Sequence, residues 1–136
     1  MQTEPRLTDV LALAFLGDAL YELAVRERIL GEGKITRADK LHKEAVRYVC
    51  APAQAAALLA MMDEGFFTEE EDALIRRAHN HKIATKPKNA DPVTYKWATA
   101  FEALLGFLDL SGRKERLEEV MQKAMSMTDA PQESKA

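Results

Sequence analysis

Apolar residues recur at intervals of three and four along almost the whole chain. Leu7, Val10, Leu13, Leu16, Leu20, Leu23 and Ile29 or Leu30 recur mostly at threes and fours, the spacing of a helix. Nowhere does the strict apolar–polar alternation of a half-buried strand appear. The pattern therefore commits the chain to an all-α fold.

Cap and breaker residues divide this pattern into helices. Thr8 or Asp9 opens the first, and Gly31 and Gly33 stop it. The second is expected from the cap Thr36 through Leu41, Ala45, Val46 and Val49. Cys50-Ala51-Pro52 breaks it, and the proline starts a third helix over about Pro52 to Met62. Gly65 ends that one. Phe66 and Phe67 lead into Thr68, with Glu71 three residues on, which is the signature of a capping box opening a short helix to about His79. From Asn80 to Pro92 the periodicity lapses into a loop of functional length. A strongly apolar helix follows from Pro92 or Val93 to Leu110, and a last amphipathic one runs from about Lys114 to Met125. With 136 residues the chain holds one domain, expected over 1–127, followed by a polar, frayed tail over 128–136.

Composition narrows the function classes. No apolar run approaches the ~20 residues of a membrane span, and no basic region precedes an apolar stretch at the N-terminus. The single cysteine, Cys50, forms no internal disulfide and no cysteine-rich zinc site. A reducing, cytoplasmic setting is the expectation. The net charge of −3 taken whole counts against nucleic acid. Its distribution does not. Residues 34–48 carry five Lys or Arg against Asp39 and Glu44, and residues 76–96 carry six against Asp91. Residues 63–72 hold six acids and no base. A basic stripe, whatever the net charge, is the footprint of phosphate binding. Arg76, Arg77, Lys82, Lys86, Lys88 and Asn89 are its candidate phosphate or ribose contacts, against the plainer reading of a solvated surface.

Two acids stand where acids are costly. Asp18 lies within Leu13-Ala-Phe-Leu-Gly-Asp-Ala-Leu20, and Glu102 within Ala100-Phe-Glu-Ala-Leu-Leu-Gly-Phe-Leu108. A carboxylate among apolar side chains must be paired, hydrogen-bonded or bound to a cation. If the two helices pack together, these acids meet and can share a hard cation; a surface acid and an ion pair with Arg26 or Lys96 are the competing readings. Gly17 costs a helix about 1 kcal/mol relative to alanine and marks a close approach by another chain or helix. Glu22 lies one turn beyond Asp18 on the same face. His42, His79 and His81 have no companion cysteines or H-E-x-x-H spacing, which argues against zinc. No nucleophile elbow or phosphate-binding glycine loop is present.

The segment Leu13-Ala14-Phe15-Leu16-Gly17-Asp18-Ala19 resembles the L-E-F-L-G-D-[AS] signature helix of the ribonuclease III family. Thr99-Ala100-Phe101-Glu102-Ala103-Leu104-Leu105-Gly106 resembles that family's second acidic motif, D-x-x-E-A-L-[IL]-G. With Leu41-His42-Lys43 and Thr85-Lys86-Pro87-Lys88-Asn89 leading into Tyr95, the chain is similar, over about residues 5–125, to the short bacterial members that lack a double-stranded-RNA-binding domain. The resemblance implies a helical catalytic domain and a symmetric homodimer. It also implies Mg²⁺-dependent hydrolysis (Mn²⁺ substituting) of double-stranded RNA, giving 5′-phosphate and 3′-hydroxyl ends. The substrate it implies is the 23S ribosomal RNA precursor, with a ribosomal protein as an expected helper. Asp18 and Glu102 match the family's metal ligands. Phe15 matches the aromatic that inserts into the partner subunit, with Gly17 beside it at the dimer contact, and Glu22 is a candidate for a water-mediated metal contact. The family's other acids are replaced here: Ala14 and Thr99 stand in two of their places, and Leu11 where a further acid is often found. Those losses leave room for one metal per site, put a second metal held wholly by protein in doubt, and keep open the alternative of a catalytically inactive RNA-binding domain; the solvated-surface reading of the basic stretches keeps open an all-α protein-interaction adaptor.

Overall fold

The computed structural model describes residues 4–5, 8–81 and 91–130. Among the described residues there are six helices and no strand: α1 Val10–Glu32, α2 Ala38–Val49, α3 Ala51–Asp63, α4 Glu69–His79, α5 Pro92–Leu110 and α6 Lys114–Asp129. No single helix among them is long and apolar enough to cross a membrane.

α5 is the central post. Every residue from Ala98 to Leu108 is buried except Glu102. A helix that is apolar all round can satisfy that surface only inside the protein, and α1, α3, α4 and α6 all pack against it. Phe101, Leu104, Leu105, Phe107 and Leu108 are essentially fully enclosed, each burial worth about 1.5–3 kcal/mol. Phe101 meets Tyr21 of α1 edge to face, with ring centroids 5.0 Å apart.

The α1–α5 contact is made by main chain. A Cβ on Gly17 would stand 1.8 Å from the Glu102 carbonyl oxygen, and one on Gly106 would stand 2.1 Å from that of Leu13. Each helix thus presents a glycine to the other's backbone. The close approach signalled by Gly17 is made by α5 of the same chain.

Helix ends mostly follow their sequence signals. α1 runs through Gly31 and stops at Gly33, whose φ of 69° is the left-handed cap geometry. α2 begins one residue later than a Thr36 cap would set, with Arg37 at the cap position and no side-chain cap bond. At α4 the capping box is complete: the Glu71 amide donates to Thr68 Oγ1 at 3.1 Å, and the Thr68 amide donates to Glu71 Oε1 at 3.0 Å. Glu71, from the acidic run 63–72, is buried, and Arg116 of α6 holds it with bonds of 2.8 and 2.9 Å while also donating to the Phe66 carbonyl. Asp91 caps α5, accepting from the Thr94 amide and hydroxyl.

α6 continues to Asp129, past the expected end near Met125. Asp129 accepts hydrogen bonds from Tyr48 of α2 and Arg28 of α1, which ties the end of α6 to two other helices. Residues 131–136 of the expected tail lie outside the described residues.

Candidate active site

The glycine contact brings the two anomalous acids together. Gly17 rests on the backbone of Glu102, so Asp18, the next residue, comes to lie beside the Glu102 side chain. Asp18 is exposed and Glu102 partly buried. The Glu102 carboxyl is pushed up to about 8, chiefly by burial and next by the Asp18 charge; the hydrogen bond with Asp18 and the charge of Glu22 add to this. Two carboxylates within hydrogen-bonding reach cannot both ionise cheaply, and the pair holds a proton at neutral pH. A carboxyl so perturbed, beside an exposed acid, is one physical mark of a functional site.

Gln54 of α3 is the third member. Its side chain is almost wholly buried, and its Nε2 donates to Glu102 Oε2 at 3.3 Å and to the Val49 carbonyl at 2.9 Å. The Glu102 bond opposes the upward push on the carboxyl. The sequence reading passed Gln54 over. The signal that could have found it is the one that exposed Asp18 and Glu102: a polar side chain inside the apolar run Ala51-Pro-Ala-Gln-Ala-Ala-Ala-Leu58.

The donor set suits a hard cation. Two carboxylates that resist joint ionisation gain most from a divalent ion between them. Among the described residues no three His, Cys, Asp or Glu side chains converge to hold a metal by themselves. A hard divalent ion that keeps several of its waters can be held by so few protein ligands. Ala14 and Thr99 are buried and add no charge at the positions of the family's other acids.

The remaining expected residues divide. Glu22 pairs with Arg26 at 3.2 Å and acts on Glu102 through its charge. Arg26 is thus paired with Glu22, not with Glu102. Arg76 and Arg77 form the exposed last turn of α4, where Arg77 donates to the Thr8 carbonyl at 2.8 Å. Beside them His79 stacks on Trp97 with ring centroids 3.8 Å apart, joining the ends of α4 and α5 that flank the basic loop. Lys82, Lys86, Lys88 and Asn89 lie outside the described residues. Phe15 is 84% exposed, a large apolar side chain facing outward. Gly17, expected with it at a dimer contact, is buried within its own chain, because α5 fills the space a side chain would need.

Comparison with known proteins identifies the family of the chain. The family model "Ribonuclease III domain" matches residues 11–113, which include both acids. The Mini-ribonuclease 3 of Brevibacillus brevis is 45% identical over 93% of this chain and 92% of its own length. That of Symbiobacterium thermophilum is 49% identical over 90% and 92%, and that of Staphylococcus aureus 39% identical over 91% and 92%. A crystal structure of a protein from Fusobacterium nucleatum superposes with a TM-score of 0.77 at 30% identity, covering 89% of this chain and 94% of that one. The chain belongs to the ribonuclease III family, among its Mini-ribonuclease 3 members.

Proposed function

We propose that this endoribonuclease cleaves the backbone of double-stranded RNA at the Asp18–Glu102 pair, with Mg²⁺ as the resident ion and Mn²⁺ as its substitute. The observation that carries the reading is the meeting of the two carboxylates across α1 and α5, with the Glu102 carboxyl pushed up to about 8. When bound, the cation supplies a polarised phosphate and a more acidic water. The chain's residues do the rest. Asp18 and Glu102 would hold the ion, Glu102 giving up its proton to solvent to do so. Gln54 orients Glu102 from the protein side, while the exposed Asp18 borders solvent, where the substrate must arrive.

RNA is gripped by Arg76 and Arg77 and by Lys82, Lys86, Lys88 and Asn89. Duplex RNA is read through its shape, phosphates and 2′-hydroxyls, so binding here is weak and steeply salt-dependent. Phe15 enters a partner subunit, making a symmetric dimer with one site for each strand. The products carry 5′-phosphate and 3′-hydroxyl ends. The natural substrate is the 23S ribosomal RNA precursor in the cytoplasm, presented with a ribosomal protein.

The test incubates the protein with a double-stranded RNA in Mg²⁺ or in EDTA, beside Asp18→Asn and Glu102→Gln. Mg²⁺-dependent scission lost in both variants is the expected result. Cleavage that survives both substitutions would refute the ligand assignment, and wild-type protein that binds duplex without cutting it would favour the inactive RNA-binding reading.

A further inference from the structure

Gln54 carries an unusual pattern of satisfied and unsatisfied groups. It is 2% exposed, in the first turn of α3. Both hydrogens of its amide have acceptors, the Val49 carbonyl at 2.9 Å and Glu102 Oε2 at 3.3 Å. Turning the amide over would set its oxygen against the Val49 carbonyl, which can only accept. Its Oε1 is buried with no hydrogen-bond partner. A buried acceptor left unpaired is costly, and a fold with no use for it would place an apolar residue there. Capping the last carbonyl of α2 accounts for one donor. It does not account for the second donor on Glu102 or for the tolerated cost of Oε1.

The geometry points to Gln54 as the positioning residue for Glu102: anchored on Val49, it holds one carboxylate oxygen and leaves the other to face Asp18 and the cation. Oε1, within the same side chain, is the acceptor for a water carried into the site with the ion. The inference rests on Glu102 being a ligand. Partners that orient metal ligands typically govern affinity by ten- to a hundredfold.

Gln54→Met keeps the volume and removes both bonds and the orphaned oxygen. Mn²⁺ binding to the metal-free protein, read from the free-ion signal in electron paramagnetic resonance, is expected to weaken about tenfold or more in this variant. Cleavage of duplex RNA is expected to recover as Mn²⁺ is raised. A merely structural Gln54 would lower the melting temperature and leave the Mn²⁺ affinity at the wild-type value, and that outcome overturns the inference. If Gln54→Met does not fold, Gln54→Asn, shorter by one methylene and unable to span Val49 and Glu102, is held to the same expectation. Glu102→Gln is measured alongside. Wild-type Mn²⁺ affinity in that variant would overturn the ligand reading itself, whereas its loss together with unchanged affinity in Gln54→Met would overturn only the positioning role.

Discussion

Replacing Glu102 by glutamine removes the carboxyl that the fold holds up to about 8, against 4.5 for an unperturbed glutamate. Between those values the metal-free folded protein keeps a proton that the unfolded chain has released. Stability from this group is therefore complete below about pH 4.5 and is lost as pH rises towards 8. At about 1.4 kcal/mol per pH unit, the interval between about pH 5 and pH 9 is worth roughly 3–4 kcal/mol. Glu102→Gln has no such proton to lose. With a urea slope of about 1–3 kcal/mol/M for a protein of this size, the wild-type midpoint should fall by roughly 2 M relative to the variant's over that range. The assay is urea unfolding in EDTA at fixed protein concentration, followed by the fluorescence of the only tryptophan, Trp97. Groups common to both proteins cancel in the comparison, which leaves Glu102 and its neighbours Asp18 and Glu22. Parallel pH profiles for the two proteins would refute the reasoning, for they would mean that Glu102 ionises as freely folded as unfolded.

Three further outcomes are expected. Gly17→Ala should destabilise the fold by about 1–3 kcal/mol or more in urea unfolding, because its Cβ would stand 1.8 Å from a carbonyl oxygen. Gly31→Ala, in the same helix with nothing within 4 Å, should be neutral or stabilising, and equal effects would contradict the main-chain contact. Arg116→Met should cost about 3–5 kcal/mol by stranding the buried Glu71. Burial pushes the Glu71 carboxyl up, but the bonds from Arg116 and Thr68 outweigh it and hold the group below its ordinary value. The pair's contribution is thus present above the ordinary carboxylate range and lost as pH falls, so the gap between wild type and variant should narrow in acid. Light scattering should give about twice 15.2 kDa for the wild type and a monomer for Phe15→Asp; a monomeric wild type would remove the two-site arrangement.

The helices were legible because their apolar faces repeat and their caps are local. Thr68 with Glu71, Asp91 before Pro92, and Gly33 each act within one turn. Asp18 and Glu102 stood out because an acid in an apolar helix is costly unless something compensates it, and sequence alone displays that cost. What sequence spacing cannot show is which partner answers a signal. Gly17 announced a close neighbour, but only the packing identifies α5 of the same chain. The polar residues Thr128 and Asp129 read as the start of a tail, although Asp129 is tied down by Tyr48 and Arg28, far away in sequence. Gln54 escaped notice because an uncharged amide disturbs an alanine-rich helix far less than a carboxylate does.

The two glycines at the α1–α5 crossing have a consequence for how tolerant the site is. The interval between Asp18 and Glu102 is gauged by peptide groups touching peptide groups, at Gly17 on Glu102 and Gly106 on Leu13. Side chains elsewhere in the core can be exchanged for others of similar volume without resetting that gauge. An atom added at either glycine pushes the two helices apart and the acids with them, so the spacing of a charged pair is set in part by two residues that have no side chain.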